Sequence, residues 1–286
     1  MQNAIYQSVT DKIIEQLEKG CTPWVKPWKS TVQSDKNIAS GNEYQGINTL
    51  ILGMAGAAAN YNCYTWGSFK QWQALGANVK KGEKGTPIVF YSPVSGSKIN
   101  DAGESETTYT AVLKTYYVFN ARQVEGIEIK EQEEVDKPFI VMPALEDRIV
   151  KSGANIKHGG NSAFYSPSGD FINVPEKSTF TNESSYYATV LHELTHWSGA
   201  KHRLDRVKGK RFGDSKYAFE ELVAEMGAAF LCASYEVPGE LQHSSYIENW
   251  LTCLKEDNKA VFKAAALAQK AADYIKSLDA TAQAAA

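Results

Sequence analysis

The chain has 286 residues, 43% of them hydrophobic, and a formal net charge of −3 at pH 7. That length supports one large core or two modest ones, and two domains are the expectation. No apolar run is long enough to span a bilayer as a helix, because the stretch at 47–59 is too short and carries Asn48 and Gly53. The start Met-Gln-Asn lacks a basic-then-apolar signal region, and Cys21, Cys63, Cys232 and Cys253 show no CxxC spacing. Reduced thiols and a cytoplasmic location are expected. Residues 1–130 hold 13 Lys and Arg against 11 Asp and Glu, so the front half is weakly basic and the rest acidic. Alone, such an asymmetry reads as solvated surface.

In chain order, residues 4–19 read as an amphipathic helix with Ile5, Val9, Ile13, Ile14 and Leu17 on one side and Gly20 as its stop. A loop follows with Pro23-Trp24 and Pro27-Trp28, then the run Tyr44-Gln45-Gly46-Ile47-Asn48 leads into an Ala- and Leu-rich helix. A short helix over 68–75 precedes a basic turn containing Lys80, Lys81 and Lys84. Residues 88–91 read as a strand, 95–107 as a long exposed hairpin loop, and 108–119 as a second strand with Leu113, Tyr117 and Phe119 on one face. The front half is therefore α+β.

Lysines beside Trp and Tyr suit a single-strand binder, since the cations neutralise phosphates while the rings stack on bases. Equally, the rings suit the core of a small domain and the lysines a solvated turn. The polar, acidic stretch near 130–138 ends in Pro138 and reads as a linker. Beyond it come a helix over 144–150 and short strands at 156, 164–165 and 171–174. The last of these strands, closed by Pro175, is expected at a sheet edge, where an extended peptide could add.

Residues 186–197 contain His192-Glu193-Leu194-Thr195-His196. On a helix, positions i and i+4 share a face, so the two imidazoles can grip one ion while Glu193 reaches an attacking water as general base. Two surface histidines on an ordinary helix are the bland alternative. For a third ligand two solutions are open. His202 completes the pattern HExxHxxGxxH, with Gly199 as the turn. Alternatively, a helix over 217–233 offers Glu221 and Glu225 on one apolar face, where an inward carboxylate is costly unless paired or bound to metal. Tyr217 and His243 are candidate donors to an oxyanion. Helices near 245–254 and 259–278 close the chain.

Tyr186-Tyr187 before HELTHW, Arg203-Leu204 after it, and the segment Tyr217-Ala-Phe-Glu-Glu-Leu-Val-Ala-Glu-Met-Gly-Ala-Ala-Phe resemble the metallopeptidase domain of ArdC-type antirestriction proteins. The front half resembles the DNA-binding domain of the same proteins through its Pro-Trp pairs, Tyr44 to Asn48, Val79 to Gly85 and Tyr117 to Asn120. This resemblance implies a single-stranded DNA-binding domain over 1–128, a linker over 129–140 and a zincin-like metallopeptidase domain over 141–286. It implies Zn2+ held by His192, His196 and Glu221, with Glu225 in support or as a substitute. It also implies a role in shielding incoming mobile DNA from host restriction. The expected DNA contacts are Trp24, Trp28, Tyr44, Asn48, Trp66, Trp72, Lys80, Lys81 and Lys84. No residue identifies a protein substrate. A purely structural metal site, and a general cytosolic peptidase with a recognition module in front, are the rival readings.

Overall fold

A computed structural model describes residues 2–18, 35–59, 61, 63–99, 105–127, 142–180, 182–206, 215–237 and 247–284. Helix α1 (Gln2–Glu18) buries Val9, Ile13 and Leu17, the face its spacing dictates. Strand β1 (Lys36–Asn37), α2 (Ile47–Ala58), β2 (Thr65–Gly67), α3 (Phe69–Ala74) and β3 (Asn78–Val79) follow. The long hairpin of β4 (Thr86–Ile99) and β5 (Ser105–Asn120) comes next, then the short β6 (Val124–Glu125). Sheet order is β1-β2-β5-β4, with β3 and β6 paired separately. The hairpin overturns the loop expected over 95–107, because antiparallel pairing continues out to Ile99 and Ser105. Its buried face also changes sides. Leu113 and Val89 enter the main core, whereas Val118 and Ile88 pack on the other face around Trp66, which leaves both Tyr116 and Tyr117 exposed.

Small polar devices hold this half together. Ser68 and Gln71 form a reciprocal capping box at the start of α3, and Asn120 and Gln123 form another after β5. The Asn48 amide exchanges two hydrogen bonds of 2.8 Å with the backbone of Val89 and so satisfies edge strand β4. Four of the expected DNA contacts are buried. Asn48 is a buried strand clamp, and Tyr44 is buried with its hydroxyl accepting from Asn37 Nδ2. Trp66 and Trp72 are 0% exposed, and their indole N–H groups donate to Asp35 Oδ1 and the Phe119 carbonyl at 2.7 and 3.0 Å. A ring with no free face cannot stack on a base. Lys80, Lys81 and Lys84 are exposed as expected of the basic turn, with Lys80 Nζ donating to the Arg122 carbonyl. Trp24, Trp28 and the linker over 129–140 fall outside the described residues.

The second half begins with α4 (Pro143–Lys151) and a sheet of β7 (Asn155–His158), β8 (Phe164–Ser166) and β9 (Phe171–Val174) in the order β7-β9-β8. Strand β9 is central rather than at an edge, because β7 pairs with it in parallel and β8 antiparallel. Its Ile172 and Val174 are fully buried. Helices α5 (Glu183–Ser198), α6 (Ser215–Ser234), α7 (Ile247–Glu256) and α8 (Ala260–Ala284) complete the fold, which is α+β throughout. Among the described residues no helix is long and apolar enough to cross a membrane. One cluster of buried side chains runs from α1, α2 and the hairpin into α4, β9 and all four C-terminal helices. Tyr6 on α1 packs edge-to-face on Phe262 of α8 at 4.7 Å, and Thr10 Oγ1 donates to the Asn258 carbonyl.

Candidate metal centre

Helix α5 starts at Asn182, whose side-chain oxygen accepts from the Ser185 amide at 2.8 Å. Most of the helix is buried, including His192, Glu193, Leu194 and Thr195. A polar triplet can sit inside only if neighbouring groups satisfy it. Helix α6 supplies them. The two helices cross where Gly227 meets Thr195; a Cβ on that glycine would come within 2.5 Å of Thr195 Cγ2. The close approach lets Glu220, Glu221 and Glu225, all buried, face the histidines.

Each imidazole is addressed from both sides. Glu221 Oε2 lies 3.5 Å from His192 Nε2, and its Oε1 lies 3.5 Å from His196 Nε2. On the far side of the rings, Glu225 Oε1 is 3.5 Å from His192 Nδ1 and Glu220 Oε1 is 3.4 Å from His196 Nδ1. The donor atoms of His192, His196 and Glu221 lie within 4.8 Å of one another. The two 3.5 Å contacts come from different oxygens of Glu221, so its carboxylate spans the gap between the two Nε2 atoms. The donor set, two imidazoles and a carboxylate in a buried setting, fits a divalent ion.

Electrostatics point the same way. Burial pushes His196 toward its neutral form, but Glu220 and Glu221 more than offset this and raise its pKa to about 10. Burial raises the Glu221 pKa, yet His192 and His196 outweigh that and hold the carboxyl below its ordinary range. Glu220 is lowered in the same manner, against its own desolvation, by His196 and Arg206. The carboxylates are thus ionised and the cluster attracts positive charge.

Tyr217 is half-buried and sits one helical turn before Glu221 on the same strip of α6. His243 falls outside the described residues. His202 is not with the cluster. Its side chain is 64% exposed and its Nε2 lies 3.3 Å from Asp170 Oδ2. Glu220 and Arg206 were given no role on sequence grounds. The adjacency of Glu220 and Glu221 carried a signal, because acids on a largely apolar helix need partners once buried.

Comparison with known proteins fits this geometry. Residues 143–267 match the family described as zincin-like metallopeptidase, and residues 3–119 match the N-terminal domain of anti-restriction factor ArdC. The crystal structure of the antirestriction ArdC protein from plasmid R388, in its metal-free form, superposes with a TM-score of 0.82 at 39% identity, covering 96% of this chain and 98% of that one. The chain belongs to the ArdC antirestriction family. The Mn(II)-bound form of R388 ArdC superposes with a TM-score of 0.76 at 37% identity, over 96% and 97% of the two chains. The uncharacterized protein y4eC of Sinorhizobium fredii (strain NBRC 101917 / NGR234) is 37% identical over 98% of this chain and 94% of its own length. DNA primase TraC of Escherichia coli is 36% identical over 96% of this chain, which spans 27% of TraC.

Proposed function

We propose that this ArdC-family chain binds single-stranded DNA without sequence preference and carries a zinc-dependent peptidase centre, and that together these protect incoming mobile DNA from restriction. The observation that carries the enzymatic half is the convergence of His192, His196 and Glu221, with each outer imidazole nitrogen facing its own carboxylate. When bound there, zinc supplies Lewis-acid activation of a water and of the scissile carbonyl. The chain supplies the rest. His192, His196 and Glu221 hold the ion. Glu193 accepts the proton of the attacking water and returns it to the departing amine, and Tyr217 donates to the developing oxyanion.

Support for DNA binding comes from the hairpin. Phe90, Tyr116 and Tyr117 are 45%, 48% and 61% exposed, and Phe90 and Tyr116 meet edge-to-face at 5.6 Å. Large rings left outside a core mark a contact surface more than a stability device. Lys114 is exposed on the same strand as Tyr116, and the basic turn of Lys80, Lys81 and Lys84 precedes β4. The likeness to a protein named for DNA priming favours a nucleic-acid partner. The proposed division is 1–128 for DNA, 129–140 as linker and 141–286 for the metal centre.

A labelled oligothymidylate titrated with the full chain tests the DNA half. Phe90→Ala/Tyr116→Ala should weaken binding about tenfold or more, since each stacked base contributes about 1–3 kcal/mol. Unchanged affinity would remove the hairpin from the interface. Glu193→Gln tests the peptidase half: it should retain zinc and lose cleavage, and protection that survives in this variant would mean that the metal serves stability alone.

A further inference from the structure

We propose that Arg206 is a positioning residue for the metal centre, clamping Glu220 against Nδ1 of His196 in a recess that exists because position 199 is glycine. The inference rests on the reading of His192, His196 and Glu221 as metal ligands.

Arg206 is a buried cation, which is costly unless its donors are matched. Here they are. Nη2 and Nε donate to the two oxygens of Glu220 at 2.9 and 3.3 Å, Nη1 donates to Ser198 Oγ at 2.9 Å, and Nη2 also reaches the Thr195 carbonyl. The fork therefore ties the last turn of α5 to the carboxylate on α6 that faces His196. An imidazole whose outer nitrogen is held by a carboxylate has a fixed tautomer and ring angle, and its inner nitrogen is then aimed rather than free to swing. Glu220 alone would be a floppy partner; gripped at both oxygens, it is a fixed one.

The glycine completes the case. Gly199 caps α5 with φ −79°, a conformation open to any residue, so backbone geometry does not demand glycine there. Space does. A Cβ at 199 would lie 2.7 Å from Arg206 Nη2, 2.9 Å from Cζ and 3.1 Å from Nε. The return turn after α5 is itself pinned, with the Leu204 amide donating to Ser198 O at 3.0 Å and the Arg206 amide to Gly199 O at 3.1 Å. The loop that a HExxHxxGxxH reading would use to deliver His202 as a ligand delivers Arg206 behind a ligand instead.

The test measures Zn2+ affinity by competition with a chromophoric chelator, and the visible absorption of the Co2+-substituted protein, for the full-length wild type, Glu220→Gln, Gly199→Ala, Arg206→Met and the Arg206→Met/Glu220→Gln pair. Circular dichroism of the metal-free proteins checks folding. Each single variant should bind Zn2+ 10- to 100-fold more weakly and shift the Co2+ bands, an effect of the size expected for outer partners of metal ligands. The pair should bind no more weakly than Glu220→Gln, because Arg206 acts through that carboxylate. If Arg206→Met does not fold, Glu220→Gln and Gly199→Ala carry the test. Wild-type affinity and an unchanged Co2+ spectrum in both would overturn the clamp while leaving the ligands in place. A wild-type chain that binds neither ion would overturn the ligand assignment and the clamp with it.

Discussion

At the scale of single residues, the metal centre is a problem of placing four carboxylates and two imidazoles in a nearly dry site. Glu193, Glu220, Glu221 and Glu225 are all buried, as are His192 and, behind them, Arg206. The pKa of His196, raised from its ordinary 6.5 to about 10, has a consequence for pH. A group raised on folding contributes stability that is complete below its unfolded pKa and is lost as pH climbs through the folded one. Glu221 has the opposite sign: its contribution is present above the unfolded value near 4.5 and fades as pH falls through the lowered one. Metal-free protein should therefore be most stable between about pH 5 and 7 and lose melting temperature steadily toward pH 10. A metal must also displace the proton on His196, so affinity should rise with pH across 7 to 9 and binding should release protons, as titration calorimetry in two buffers would reveal. A pH-independent affinity would contradict this.

The sequence spoke clearly at some residues and not at others. The histidine pair and its glutamate were legible because HExxH encodes its own helical geometry. Which of Glu221 and His202 stands beside the pair was not, because both satisfy good local patterns and only the crossing of α5 with α6 separates them. Trp66 and Trp72 were ambiguous for a related reason. A tryptophan looks the same in sequence whether its N–H meets water or Asp35, and both indoles find buried acceptors.

At the scale of elements, the α5–α6 crossing sets the site. Gly227 lets the helices approach so closely that an alanine there would drive its Cβ to 2.5 Å from Thr195. Gly227→Ala should cost about 1–3 kcal/mol in urea unfolding, the usual penalty of overpacking, and should weaken metal binding because Glu221 rides on the displaced helix. Lost stability with intact metal affinity would uncouple the crossing from the site. Strand β9 teaches a different lesson. Its apolar run and terminal Pro175 fit an edge, but Ile172 and Val174 are covered on a strand paired along both sides. Pairing partners are a tertiary fact, and a four-residue strand carries too little pattern to announce them. The hairpin makes the same point, since Ser, Gly, Asp and Glu residues over 95–107 look like a loop while the pairing runs out to Ile99 and Ser105.

At the scale of the molecule, the composition shift that marks two sequence regions does not divide the core. Val9, Ile13 and Leu17 of α1, with Val89 and Leu113 of the hairpin, belong to the same buried cluster as Trp250, Val261 and Ile275. The N-terminal and C-terminal halves should accordingly unfold in one cooperative transition, with tryptophan fluorescence and far-ultraviolet dichroism giving coincident urea curves. Two separated transitions would contradict the shared core. Cutting the chain near 128 should leave the apolar face of α1 without its cover from α7 and α8.

The most direct test of the whole reading is the zinc content of the purified chain, measured by elemental analysis after dialysis, for wild type, Glu221→Ala and His202→Ala. One zinc per chain is expected in the wild type and in His202→Ala, with near-complete loss in Glu221→Ala. Zinc retained by Glu221→Ala and lost from His202→Ala would contradict it.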